Sequence, residues 1–327
     1  MKKKPVMGVL LLTAIFLTFS GAVCSTMAEE PVTLRAVSFL AKNNVQTDSL
    51  FIFQKTLEEK ADGKIKIEYL GGPEAVPSFE QIEAVKSGLV DMSLLPTAYY
   101  VPQIPVVDAV KLSRITPWEE RKTGAYDFIN KMHQEKVNAY YLGRFTNNVQ
   151  FHLYLKKKID KPDFTGMKIR VTPIYKPFVE ALGGVAVTTA AGEVYTALER
   201  GVVDGYGWPS VKISDFGWHE VTDYVIDPGF YQVDVGIIVN LDVWNRLSQE
   251  NKELLISAAK EAEHKTSEHF AKLKQEEREL IFSKGVEVIE FTGEDRKTYL
   301  DAAYKAGWEQ VLSKSPELGA KYKKMVE

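Results

Sequence analysis

Arg170 is the residue of this sequence best equipped to hold an anion. It stands in Lys168-Ile169-Arg170-Val171, a run with apolar neighbours that reads as a strand. Its planar guanidinium offers a fork of N–H donors that fits a carboxylate with two parallel bonds. Burying that charge without a partner is costly, so either a ligand or an acid of the protein must satisfy it. Aromatic residues supply the second requirement of a small-molecule pocket, apolar walls around a few polar groups. Leu95-Pro96-Thr97-Ala98-Tyr99-Tyr100 and Tyr206-Gly207-Trp208-Pro209 both end strand-like runs, and ligands in α/β sheets sit beyond the carboxyl ends of strands. Trp208 suits plain core packing as well as it suits a ligand-facing wall.

No catalytic pattern accompanies these residues. The sequence has no Gly-x-Ser-x-Gly elbow, no Walker loop and no Rossmann glycine fingerprint. Its five histidines are scattered, and His264 and His269 are spaced to fall on different faces of a helix. No metal, no cofactor and no catalytic residue is expected, and the pattern points to binding rather than turnover.

Strand and helix signals alternate along the chain, which argues for an α/β fold with parallel sheets. Residues 32–39 and 65–70 alternate as strands do, residues 48–60 and 79–86 have helical spacing, and 89–95 reads as a buried strand. An internal echo divides the pattern in two. Glu80, Ala84, Val85, Gly88, Leu89, Val90 and Asp91 recur at the same spacing as Glu193, Ala197, Leu198, Gly201, Val202, Val203 and Asp204. A basic strand precedes each copy, Lys64-Ile65-Lys66-Ile67 and Lys168-Ile169-Arg170-Val171. Each helix is expected to stop at its glycine, which tolerates a left-handed C′ position. The echo predicts two lobes of related build. Residues 248–283 then form one long helical pattern, more than about 45 Å at 1.5 Å per residue, expected to bridge both lobes. A further helix is expected over residues 293–313.

The N-terminal residues set the expected compartment. Lys2, Lys3 and Lys4 precede an apolar stretch over residues 9–19 and then small residues, the layout of a cleaved secretory signal peptide. Cleavage after Ala28 would remove Cys24, the one cysteine, which lacks the flanking residues that lipid attachment favours. It would also take three lysines and no acid, moving the formal charge from −3 to −6. An acidic protein is a poor partner for nucleic acid. The expected division is a signal peptide over 1–28, one lobe mainly over 29–150 and a second mainly over 151–240. Helices over 241–327 pack across both, with each lobe discontinuous in sequence.

Four motifs then carry a family resemblance. Asp163-Phe164-Thr165-Gly166-Met167-Lys168-Ile169-Arg170-Val171, Ala181-Leu182-Gly183-Gly184, Gly192-Glu193-Val194-Tyr195-Thr196-Ala197-Leu198 and Gly201-Val202-Val203-Asp204-Gly205 are similar in order and spacing to the DctP-type extracytoplasmic solute receptors of TRAP (tripartite ATP-independent periplasmic) transporters. The resemblance implies a two-lobed periplasmic-binding-protein fold that closes over an organic acid like a Venus flytrap. It implies a periplasmic location and partnership with the membrane permease subunits of an ion-gradient-driven transporter. It also implies that Arg170 grips the ligand carboxylate. Against the sialic-acid receptors of this group, Gln150 stands where a second arginine is found and Trp208 where an asparagine is found. The sequence is more similar to the keto-acid type, so the expected ligand is a monocarboxylate, a keto or aromatic acid. It would be held by Arg170 and Gln150 beside Trp208, with Tyr99 and Phe230 on the opposite wall. Two other classes fit the same scaffold, a secreted hydrolase and a ligand-sensing partner of a membrane receptor. Nothing in the pattern fixes an oligomeric state.

Overall fold

The structure, a computed structural model, describes residues 1–4, 31–189 and 191–327. The expected cleavage site and Cys24 lie outside the described residues. From Val32 the chain alternates as its apolar spacing requires: β1 (Val32–Ser38), α1 (Asp48–Ala61), β2 (Ile65–Gly71), α2 (Gln81–Ser87), β3 (Met92–Pro96), α3 (Pro117–Thr123), α4 (Ala125–Val137) and β4 (Ala139–Arg144). It continues through β5 (Gln150–Leu155), β6 (Lys168–Val171), α5 (Lys176–Ala181), β7 (Val185–Thr188), α6 (Val194–Glu199), β8 (Gly205–Pro209), β9 (Tyr224–Asp227) and β10 (Phe230–Gln232). It closes with β11 (Val235–Asn240), α7 (Leu241–Arg246), α8 (Gln249–Ser283), β12 (Glu287–Glu290), α9 (Gly293–Lys314) and α10 (Pro316–Val326).

Two sheets result. The first has the order β2-β1-β3-β11-β4, the second β12-β9-β5-β8-β6-β7, with β10 paired to β5. β1 runs parallel to β2 and β3, as β6 does to β7 and β8. The same order therefore recurs, β2-β1-β3 in one sheet and β7-β6-β8 in the other. Each sheet then takes one antiparallel strand beside the third, β11 against β3 and β5 against β8. The sheets are thus mixed rather than purely parallel. The cause lies in the chain path, which crosses between the sheets after β4 and returns after β10. A strand that arrives from the opposite sheet need not keep the direction that a helical crossover imposes. Val235–Asn240 rejoins the first sheet and Glu287–Glu290 the second, so neither sheet comes from one continuous stretch.

The echoed segments are α2–β3 and α6–β8, and they are locked alike. Gly88 and Gly201 follow the helix ends at φ 76° and 66°, the left-handed region where glycine carries no Cβ penalty. Three residues later an aspartate clamps the neighbouring strand. Asp91 N donates to Arg35 O at 3.0 Å while Arg35 N donates to Asp91 Oδ2 at 2.8 Å. Asp204 N donates to Lys168 O at 2.7 Å while Lys168 N donates to Asp204 Oδ2 at 2.9 Å. This corrects one expectation. The basic strand 64–67 precedes the first echo in sequence, but β1 occupies the place beside β3. Arg35, not Lys66 or Lys64, corresponds to Lys168.

α8 starts at Ser248, whose hydroxyl accepts from Asn251 N at 3.2 Å, and its 35 residues span about 52 Å. Leu255, Ala258, Ala259, Ala262 and Phe270 form its buried stripe. Its first half packs on α1 and β4. There Glu263, buried, receives Arg121 Nη2 at 2.7 Å and Nε at 3.1 Å. Its last turns reach the second sheet, where Ser214 Oγ donates to Glu277 at 2.6 Å and Arg278 forks onto Asp227 of β9 at 2.7 and 3.2 Å. One helix thereby ties both sheets together. No helix of the described residues is long and apolar enough to cross a membrane.

Burial pushes the Asp227 carboxyl up, but hydrogen bonds and charge from His152 and Arg278 outweigh it and hold the group well below its ordinary value. A carboxylate depressed on folding adds stability above its unfolded pKa of about 3.9 and loses it as pH falls below that. Stability measured by urea titration at pH 5, 4 and 3 should therefore fall less steeply in Arg278→Gln than in the unaltered protein. Equal slopes would mean that the pair between α8 and β9 contributes nothing.

Candidate functional site

A cavity of about 600 Å³ lies against both sheets. Phe39 follows β1 and Tyr99 follows β3, while Thr172, Thr189 and Trp208 come from the ends of β6, β7 and β8. The equivalent strands of the two sheets thus direct their carboxyl ends at one space, as open α/β sheets do. β5 adds Phe151 to the wall, and the link between β10 and β11 adds Val233 and Asp234.

Arg170 is 3% exposed and lines the cavity. Its Nε and Nη2 donate to Thr189 O at 3.1 and 2.8 Å, and Nη1 donates to Gly207 O at 3.4 Å and Tyr175 Oη at 3.5 Å. Every one of these partners is neutral. The alternative of a protein acid opposite Arg170 is not realised among the described residues. The Tyr175 hydroxyl donates to the same Gly207 carbonyl at 2.7 Å, so strand β8, Tyr175 and the guanidinium hold one another. Burial raises the Tyr175 and Tyr99 hydroxyls above the usual tyrosine pKa, and the Arg170 charge works against that rise in both. The Trp208 ring lies 5.9 Å from the guanidinium carbon, within cation–π range.

The rings are braced by neighbouring rings. Tyr99 stacks on Phe79 at 4.3 Å and meets Phe39 edge-on at 5.7 Å. Trp208 packs edge-on against Trp218 at 4.8 Å and Phe216 at 5.6 Å. Arg170, Trp208 and Tyr99 therefore come together at one cavity. Gln150 and Phe230 do not line it. Gln150 begins β5 on the face that β5 shares with Trp208, which pairs with His152, yet the β5 residue that lines the cavity is its neighbour Phe151 on the other face. A Cβ on Gly229 would touch both Gln150 Cβ at 2.8 Å and His152 Nε2 at 2.6 Å, so these two side chains lie together against Gly229. Phe230 is fully buried behind the wall, among Phe151, Tyr175 and Phe178.

Sequence reading missed Phe79, Phe151 and Asp234. For Asp234 a signal existed: it is the one charge in Tyr231-Gln232-Val233-Asp234-Val235, a strand-like run that is otherwise uncharged. Phe79 is 69% exposed and gave none. No group of three or more His, Cys, Asp or Glu among the described residues is placed to hold a metal ion.

Two sheets of one build thus meet at a shared cavity walled by rings around a guanidinium, and the fold is that of the two-lobed solute receptors. The comparison with known families is specific. The description of the bacterial extracellular solute-binding proteins, family 7 (DctP), matches residues 36–314, and the chain belongs to that family. The monocarboxylate 2-oxoacid-binding periplasmic protein of Nostoc sp. is 23% identical over 282 residues, 78% of this chain and 76% of that protein. The C4-dicarboxylate-binding periplasmic protein DctP of Rhodobacter capsulatus is 23% identical over 297 residues, 87% and 85% of the two chains. A TRAP periplasmic solute binding protein of Desulfovibrio salexigens, solved with bound orotic acid, shares the fold at a TM-score of 0.76 and 19% identity over 90% of this chain and 98% of its own. The protein is thus a TRAP-type extracytoplasmic solute receptor by family, while the relatives differ in ligand.

Gly207 tests how tightly the site is built. An added Cβ would lie 2.5 Å from Tyr175 Cε2 and 2.8 Å from Cζ, and Tyr175 is fully buried. Gly207→Ala is expected to cost about 1–3 kcal/mol in urea titrations, as overpacking does. An unchanged midpoint would show that Tyr175 swings aside freely and does not hold the wall.

Proposed function

We propose that this protein is exported through its N-terminal segment, captures a small organic monocarboxylate with an apolar or aromatic body, and delivers it to an ion-gradient-driven TRAP permease. The observation that carries the proposal is Arg170: a buried cation on a cavity wall whose hydrogen-bond partners among the described residues are all uncharged. Carbonyl oxygens orient a guanidinium, but they do not neutralise it. A ligand carboxylate does, with charge-assisted bonds stronger than those to neutral acceptors. Trp208 and Tyr99 then enclose the apolar body, and Phe151 takes the place for which Gln150 was expected. Phe230 backs that wall without touching the ligand. The crossing segments, which pair through Val233 N to Val149 O at 2.9 Å and Phe145 N to Val235 O at 2.9 Å, form the hinge about which the lobes close.

Titrating Arg170→Ala and Arg170→Lys calorimetrically against a panel of aliphatic and aromatic organic acids tests this. Removing one partner of a buried charge pair costs about 2–5 kcal/mol, so Arg170→Ala should weaken binding at least about 30-fold. Lysine restores only part, because a point charge does not reproduce the fork. Unchanged affinity in both variants would remove Arg170 from the site. Tightest binding by a dicarboxylate would overturn the monocarboxylate assignment alone.

A further inference from the structure

The cavity wall carries a second buried charge, of opposite sign. Asp234 is 4% exposed and sits in the two-residue link between β10 of the second sheet and β11 of the first. Backbone bonds fix that link on both sides, from Val233 N to Val149 O and from Phe145 N and Thr146 N to Val235 O. The Thr97 hydroxyl, just beyond β3, donates to Asp234 Oδ2. Oδ1 accepts no hydrogen bond among the described residues, yet it is not among the enclosed unpaired atoms, and Asp234 lines the cavity. The nearby cation is already engaged: Lys111 Nζ donates to Asp108 Oδ1 at 2.6 Å and to Ile174 O at 2.9 Å.

We infer that Asp234 is a specificity-determining residue, and that the ligand carries, besides its carboxylate, a hydrogen-bond donor, an alcohol or a protonated amine, which meets Asp234 Oδ1. This rests on the assignment of Arg170 as the carboxylate anchor. An ionised carboxylate can only accept hydrogen bonds. A keto oxygen or a second ligand carboxylate at that place would meet an acceptor, leave it unpaired and add repulsion, which at a buried carboxylate is expensive. A hydroxyl or ammonium pairs with it. Arg170 and Asp234 together thus select a hydroxy- or amino-monocarboxylate over the keto acid of the same skeleton, and exclude dicarboxylates whose second acid reaches the hinge.

Burial holds the Asp234 carboxyl up at about 6, against the Thr97 hydrogen bond and the charges of Lys111 and Arg144, with Asp108 adding to the rise. Above that value Asp234 is an acceptor. Below it the protonated acid can donate, and the preference should weaken or reverse.

The test uses the full chain and two matched trios: 4-methyl-2-oxopentanoate, 2-hydroxy-4-methylpentanoate and leucine, and phenylpyruvate, 3-phenyllactate and phenylalanine. Calorimetric affinities are measured at pH 7.5 and pH 5 for the unaltered protein, Asp234→Asn and Arg170→Ala. Asparagine keeps an acceptor for Thr97, so this variant should fold. At pH 7.5 the hydroxy or amino member should bind at least about tenfold tighter than its keto counterpart. Asp234→Asn should reduce that ratio to within about threefold, and acidification to pH 5 should do so only in the unaltered protein. A keto acid bound tightest at pH 7.5, or a preference that survives Asp234→Asn, would overturn the inference while loss of binding in Arg170→Ala left the anchor standing. Failure of every acid to bind, or binding indifferent to Arg170→Ala, would overturn the carboxylate assignment beneath it.

Discussion

A guanidinium taken out of water is the constraint around which the second sheet is arranged. Several kcal/mol oppose such a burial unless its donors are met. Here backbone carbonyls of Thr189 and Gly207 meet them, and the Gly207 carbonyl is itself held by the Tyr175 hydroxyl. The strand that carries Arg170 is pinned two residues earlier, where Asp204 accepts from Lys168 N. These partners set direction without cancelling charge. The cation is therefore oriented toward the cavity and still able to gain a great deal from an anion.

The same framework exists in the first sheet without that constraint. Asp91 clamps Arg35 as Asp204 clamps Lys168, so the residue two places on, Val37, occupies the position equivalent to Arg170. Val37 is fully buried and apolar. One structural plan thus supplies a charged wall on one side and an aromatic wall, Phe39 and Tyr99, on the other. Such asymmetry suits a ligand with one acidic end. The links that cross between the sheets then place Asp234 where both halves meet.

Much of this plan was legible in the sequence. The glycines that end α2 and α6, the serine that starts α8 and the long apolar stripe of that helix are local signals, set within a few residues. The place of Arg170 on the cavity wall was legible because a charge inside an apolar strand needs a partner or an opening to reach. What failed to show were facts of register and face. Gln150 and Phe151 are adjacent on opposite faces of β5, and which of them reaches the cavity depends on the tertiary packing at the strand's end. The basic strand before the first echo misled because β1 is inserted beside β3, a non-local pairing that no short-range pattern encodes. Phe230 was misplaced for a similar reason, since a buried ring reads alike whether it lies in front of a wall or behind it.

A crystal structure of the ligand-loaded protein tests most directly whether Arg170 is the anchor. The ligand's carboxylate should lie about 2.7–2.9 Å from the guanidinium nitrogens, with Trp208 and Tyr99 against the remainder of the molecule. A ligand held in the cavity with its acid turned away from Arg170, or a guanidinium swung onto a carboxylate of the protein, would contradict it.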